Sequence, residues 1–161
     1  MKDKILVTGG SGFIGSNLVD FLLKYTNSKI ICLDNLSTGK KYFLKEALKN
    51  KNFEFHKVDI RNLKKILKYF KNVKTVFHFA ALADVKNSCK ERKEHFENNI
   101  LGTQNIIECC AHHKIKKLLF SSTGSVYGVT KNIPTKENNH FPIQNSYYAA
   151  AKLASEALIT G

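Results

Sequence analysis

Residues 4–15 read KILVTGGSGFIG. A short apolar run ends in glycines, and an apolar pattern of a different period follows at once. The run predicts a strand over residues 3–8. In FIGSNLVDFLLKY, Ile14, Leu18, Phe21, Leu22 and Tyr25 recur at helical spacing, which predicts a helix directly after the glycines. Gly9, Gly12 and Gly15 form G-x-x-G-x-x-G between the two. Glycine lets the backbone turn sharply and lets a diphosphate approach it closely. The N–H groups at the helix start then face that anion, with the helix dipole behind them. A glycine triplet is informative only in this context, with a strand before it and a helix after it.

Working outward, the same alternation repeats. Strands are expected at 29–34 (KIICLD), 53–59 (FEFHKVD), 74–80 (KTVFHFA) and 116–122 (KKLLFSS). Helices are expected over KKYFLKEALKN, over NLKKILKYF with Leu63, Ile66, Leu67 and Phe70 on one face, and over 89–112 with Phe96, Ile100, Ile106 and Ile107. A loop containing Pro134 and Pro142 precedes a last helix that starts near Ser146. Strands alternating with crossover helices require a parallel sheet, because each helix returns the chain to the same end of the sheet. The fold class expected is α/β, a doubly wound, Rossmann-like parallel sheet forming one domain over residues 1–161.

The second strand ends in Asp34, at the distance beyond the glycines expected for an acid on an adenosine ribose. A carboxylate there accepts hydrogen bonds from free hydroxyls and repels a 2′-phosphate. That favours NAD over NADP.

Near the carboxyl terminus, NSYYAAAKLASEALITG places Tyr148 and Lys152 four residues apart, on one helix face. Tyr147 shares its face with Ala151 instead. A free phenol, with a pKa near ~10, is a poor base at neutral pH, and a nearby ammonium stabilises the phenolate. FSSTGSVYG ends the fifth strand and offers Ser121, Ser122 and Thr123 at the carboxyl edge of the sheet, where open α/β folds bind ligands. Behind a dinucleotide loop, a tyrosine, a lysine and a hydroxyl make a candidate catalytic set.

Composition bounds the alternatives. The net charge is +13, but the cations are almost all scattered lysines, with Arg61 and Arg92 the only arginines. The densest groups are Lys40–Lys41, Lys64–Lys65 and Lys114 with Lys116–Lys117, and no aromatic residues interleave them for base stacking. A solvated lysine surface is expected, with no nucleic-acid partner. Cys32, Cys89, Cys109 and Cys110 form no C-x-x-C pair, so free thiols in a reducing cytoplasm are expected. In CCAHH, Cys109 and His113 share a helix face, but two ligands do not complete a zinc site, and no metal is expected. No stretch is apolar enough to span a bilayer, and the first strand starts almost at Met1. No membrane association is expected.

VTGGSGFIGSNLVD, LDNLSTG, VDIRN, VFHFAALADV, ENNILGTQNII, LLFSSTGSVYG and YYAAAKLASE, in this order and spacing, carry a resemblance that runs from Met1 to Gly161. The chain resembles the extended short-chain dehydrogenase/reductase superfamily, and within it the UDP-glucose 4-epimerase group of nucleotide-sugar epimerases. The resemblance implies that Phe13 and Ile14 lie at the pyrophosphate and that Asp34 and Asn35 hold the adenosine ribose. It implies that Asp59 and Ile60 border the adenine, that Phe79, Ala80 and Ala81 line the cofactor, and that Asn99 is the cofactor-proximal helix asparagine. It sets Thr123, Tyr148 and Lys152 as the catalytic triad, with Lys152 also on the nicotinamide ribose.

The implied reaction oxidises a UDP-sugar at carbon 4 to a 4-keto sugar and reduces it again on the other face, with NAD as hydride acceptor and then donor. Tyr148 takes the hydroxyl proton and Thr123 relays it. Related sugar-nucleotide dehydratases place acidic residues just after the strand-five hydroxyl, where this chain has Gly124 and Ser125. Dehydration is therefore disfavoured. Members of the superfamily are about twice as long, with a carboxy-terminal lobe that binds the sugar. A fragment is expected, with an unpaired fifth strand, moderate NAD binding, little turnover and the choice of sugar unread. A homodimer through the fourth and terminal helices is expected too. The competing reading is a non-catalytic dinucleotide-binding module.

Overall fold

The computed structural model describes residues 2–130, 133–137 and 143–161; Pro142 of the expected proline loop lies outside them. The chain divides into two compact units. The first comprises Met1–Ala81 and Asn105–Ser121, and the second Leu82–Gln104 and Ser122–Gly161.

The first unit is a five-stranded, all-parallel sheet in the order β3-β2-β1-β4-β5. The strands are β1 (Lys4–Thr8), β2 (Lys29–Asp34), β3 (Phe53–Lys57), β4 (Val73–His78) and β5 (Lys117–Phe120). Strand order reverses between β1 and β4, which is the switch point at which open α/β sheets bind ligands. Among the described residues β5 is a sheet edge, as expected from the sequence. Alternation along the strands builds two cores. Leu6, Ile31, Leu33 and Val76 join Ile66, Phe70, Ile106 and Cys109 in one. Val7, Ile30 and Cys32 join Val19, Leu22 and Leu44 in the other. Each large apolar side chain so buried contributes on the order of 2 kcal/mol.

Helix α1 (Phe13–Tyr25) follows the glycines. Its buried face is Gly15, Ser16, Val19 and Leu22, whereas Ile14, Phe21 and Tyr25 of the expected stripe are exposed. Close packing selects the small residues at 15 and 16. The helix expected over KKYFLKEALKN is two 3-10 turns, Lys41–Leu44 and Ala47–Lys49. Its buried residues, Leu44 and Ala47, are three apart, the spacing that a 3-10 turn puts on one side. Helix α2 (Leu63–Ile66) runs into a 3-10 turn, Leu67–Phe70, and keeps the expected apolar face. Asn62 caps it by accepting from the Lys65 N–H.

The helix expected over 89–112 starts later, as α3 (Arg92–His95). A π-helical turn, Phe96–Leu101, leads into α4 (Gly102–His112). Its buried positions are His95, Asn99, Gly102, Thr103, Asn105, Ile106, Cys109 and Cys110, while Phe96 is half exposed. The stripe thus carries polar residues as far as Asn105. In the second unit, α5 (Tyr147–Thr160) packs on the π turn and on a 3-10 turn, Gly124–Tyr127. It starts next to Ser146, as expected, and Ser146 caps it, its Oγ accepting from the Ala149 N–H at 3.1 Å. Among the described residues, no helix is long and apolar enough to cross a membrane.

Candidate active site

In the first unit the site begins where β1 ends. Gly9 has a φ of 70°, a conformation that disfavours any side chain. A Cβ there would lie 2.6 Å from the Ala80 backbone nitrogen and 2.8 Å from its Cα. The loop can run against the end of β4 only because that atom is missing. A Cβ on Gly15 would strike the Gly9 carbonyl oxygen, so the start of α1 packs closely on the loop only because that atom is missing. Gly12 N–H donates to that carbonyl at 3.1 Å, and Ser16 N–H donates to Gly12 O at 2.9 Å. No side chain caps α1, and its first turn carries no acid. The first N–H groups of a helix lack internal partners and sit at the positive end of its dipole. The Ser11 Oγ is buried with no hydrogen-bond partner. A glycine cradle, an uncapped helix start and an orphaned hydroxyl fit a diphosphate. Phe13 and Ile14, expected beside it, stand 79% and 60% exposed.

Asp34 is nearly buried. Its Oδ2 accepts from the Ser11 N–H at 2.9 Å and its Oδ1 from the Leu36 N–H at 2.7 Å. The acid therefore braces the glycine loop. A carboxylate accepts about four hydrogen bonds, so capacity remains for ribose hydroxyls. Asn35 donates to Asp59 at 3.0 Å, joining two of the expected adenosine residues. Hydrogen bonds from Arg61, then Asn35, outweigh partial burial and hold the Asp59 carboxyl down at about 2. Ile60 is buried, and its carbonyl accepts from Asn105 Nδ2 at 2.9 Å. Phe79, Ala80 and Ala81 follow β4. Phe79 N–H donates to Thr8 O at 3.1 Å, and Ala80 N–H to Thr8 Oγ1 at 3.2 Å.

Thr8 and His78 were not singled out in the sequence. Their side chains meet at 2.7 Å, fully buried, on one rung of the β1–β4 ladder. The signal was there in principle, since both residues close their strands.

The second unit holds Asn99, Thr123, Tyr148 and Lys152. Thr123 Oγ1 accepts from the Ser125 N–H at 3.2 Å and donates to Ser125 Oγ at 3.3 Å. Tyr148 is half-buried, and its ring meets His95 edge-on, with centroids 6.1 Å apart and planes at 78°. Lys152 is only 3% exposed; burial lowers its ammonium to about 8, partly opposed by Glu156. Asn99 is buried, with its Oδ1 accepting from the Leu82 N–H at 2.7 Å and its Nδ2 donating to the Leu82 carbonyl at 3.0 Å. Ser155 Oγ donates to the Asn99 carbonyl at 2.9 Å, which ties α5 to the π turn. His95 and Ser155 escaped the sequence reading, although His95 and Asn99 have i, i+4 spacing.

The cysteine–histidine cluster has other work. Cys109 lies in the core, where burial pushes its thiol up to about 12, and His113 Nε2 donates to the Leu67 carbonyl at 3.0 Å. Among the described residues no group of three or more His, Cys, Asp or Glu is placed to hold a metal.

Residues 5–161 match the family model described as the NAD dependent epimerase/dehydratase family. The chain belongs to this family. It is 38% identical to the UDP-glucose 4-epimerase of Dictyostelium discoideum over 99% of this chain and 47% of that one. It is also 39% identical to a dTDP-D-glucose 4,6-dehydratase of the same organism, over 97% of this chain and 39% of that one. The structure superposes with a TM-score of 0.86 and 37% identity on the Thermus thermophilus UDP-glucose 4-epimerase in complex with NAD. That match covers 98% of this chain and 50% of the other. The chain spans about half the length of the relatives it matches.

In this family member the buried Lys152 makes stability depend on pH. Its proton is held less tightly folded, at about 8, than at the ordinary 10.5. Below pH 8 both states are protonated and burial of the charge costs its full amount. Between the two values the unfolded chain binds more protons, so stability rises with pH. The expected rise is about 3 kcal/mol across that window, absent in Lys152→Met. Urea unfolding of both chains at a series of pH values measures it. Parallel curves would show that Lys152 does not bury its charge.

Proposed function

We propose that this chain is the cofactor-binding and proton-transfer part of a NAD-dependent nucleotide-sugar 4-epimerase acting on UDP-glucose and UDP-galactose. The observation that carries the reading is the composition of the second unit's site. A tyrosine, a buried lysine one turn on and a hydroxyl on the neighbouring 3-10 turn come without a carboxylate beside the hydroxyl. When held in the first unit by Gly9, Gly12, Phe13, Ile14, Gly15, Asp34, Asn35, Asp59, Ile60, Phe79, Ala80 and Ala81, NAD would supply the hydride acceptor and donor.

Tyr148, as phenolate, accepts the proton of the sugar 4-hydroxyl, and the Lys152 ammonium favours that anion. Thr123 has a hydroxyl already oriented by Ser125, and it passes the proton between sugar and tyrosine oxygens. Carbon 4 inverts because the turned-over 4-keto sugar is reduced on its other face, while Tyr148 returns the proton to the oxygen.

Dehydration is the second reading, favoured by the 39% identity to a dehydratase. It requires an acid and a base to expel water, and Gly124 and Ser125 supply neither. The test is product analysis after incubation with NAD and UDP-glucose or dTDP-glucose. A small yield of UDP-galactose is expected, in keeping with the little turnover expected of this form. A 4-keto-6-deoxy product would replace this proposal with the second reading. NAD binding without any sugar product would reduce the chain to a binding module.

Pairing of two copies through the helices around Phe96–Leu101 and α5 belongs to the same proposal. It is supported by Phe96, Leu101 and Leu158, which all stay at least 40% exposed. So does a cytoplasmic setting, which the free thiols of Cys32, Cys89, Cys109 and Cys110 favour.

A further inference from the structure

We propose that His95 is a positioning residue for Tyr148, fixed as the Nε2–H tautomer by Asn99 and holding the tyrosine ring edge-on in its reactive orientation. The inference rests on the reading of Tyr148 as the base and adds a residue to it.

The argument starts at the Leu82 backbone. Its N–H can only donate, so the Asn99 atom 2.7 Å away must be the oxygen. The amide nitrogen then faces the Leu82 carbonyl at 3.0 Å and His95 Nδ1 at 3.3 Å. An amide NH2 only donates, so Nδ1 must accept, and in the neutral ring the proton sits on Nε2. The ring is buried, and burial, the largest influence on it, disfavours the charged form. The imidazole plane is therefore set by an asparagine that is itself locked to backbone at two points. That plane meets the Tyr148 ring at 78°. The edge-to-face arrangement is the favoured one for aromatic pairs.

Two further observations fit. The Ser155 Oγ–Asn99 carbonyl bond anchors α5, and thus the tyrosine's helix, to the same π turn. And Nε2 is buried without a close hydrogen-bond partner, while the Asp84 backbone also acts as an acceptor towards the ring. A histidine placed only to fill space would not need its tautomer set by a doubly held amide.

Long-range nitrogen–proton NMR of the chain reads the tautomer directly. The proton is expected on Nε2, and finding it on Nδ1 overturns the proposal. The Tyr148 ring-flip rate, read from its aromatic signals, is expected to rise about tenfold in His95→Ala and to stay near wild type in His95→Phe. An unchanged rate in His95→Ala overturns the proposal too. NAD reduction by UDP-glucose should show kcat down about tenfold in His95→Ala, with KM unchanged and recovery in His95→Phe. If Tyr148→Phe reduces NAD as fast as the wild type, the assignment of Tyr148 as base fails, whereas the tautomer and the ring flip still decide whether His95 positions that ring.

Discussion

Tyr148→Phe is expected to lower NAD reduction by UDP-glucose by about a thousandfold, within the span of general acid–base effects. NAD affinity and the folded state should be unchanged. The substitution removes one oxygen. The phenylalanine ring keeps the edge contact that His95 makes with Tyr148, and the ring is only half-buried, so little packing is lost. On the proposed reading, what disappears is the atom that accepts the proton of the sugar hydroxyl. Without it the hydroxyl cannot shed its proton as carbon 4 is oxidised, and Thr123 has no base to pass a proton to. The measurement is NADH fluorescence in a single turnover, with NAD affinity titrated separately. A loss of less than tenfold would mean that another group takes the proton. Equal losses of reduction and NAD binding would mean that Tyr148 serves the cofactor and not the sugar.

Residues whose role follows from backbone chemistry were legible in the sequence. The glycines between β1 and α1 are spaced for a turn, and Gly9 makes it at a φ of 70°, with the Ala80 backbone against it. Alternating strands and helices fixed a parallel sheet before any contact was known. Asp34 closes β2 as expected, yet its grip on the Ser11 and Leu36 N–H groups was invisible, because both bonds form only when the loop and strand end are folded together. Helix faces were read less well, for one reason in two places. Counting apolar residues put Ile14, Phe21 and Tyr25 inside α1, but the space is taken by Gly15 and Ser16. The same count put Phe96 on the buried face of its helix, where the structure buries His95, Asn99 and Thr103. A polar side chain can be buried when it is hydrogen-bonded, and the partner of Asn99, the Leu82 backbone, lies seventeen residues away. No periodicity reports such a partner. The π turn that carries Asn99 escapes a 3.6-residue template for the same reason.

Gly9→Ala is expected to destabilise the first unit by about 3 kcal/mol and to weaken NAD binding in parallel. Two costs add. A non-glycine residue at φ 70° pays about 1–2 kcal/mol for the left-handed backbone. The new Cβ also meets the Ala80 nitrogen at 2.6 Å and the Phe79 carbonyl carbon at 2.8 Å, and overpacking of this kind costs about 1–3 kcal/mol. Those neighbours are backbone, so no side chain can swing away; the loop or the end of β4 must move. Either movement disturbs the proposed cofactor site, because the Gly9 N–H is bonded to Leu33 O next to Asp34, and the Gly9 carbonyl receives the Gly12 N–H. Gly124→Ala is the matched control: a Cβ there meets nothing within 4 Å, and stability should change by no more than about 0.5 kcal/mol. Urea unfolding and NAD titration of both variants test the contrast. If Gly9→Ala behaved like Gly124→Ala, the tight approach of the loop to Ala80 would not be what holds the cradle in shape, and the loop would owe its form to the Asp34 carboxylate instead.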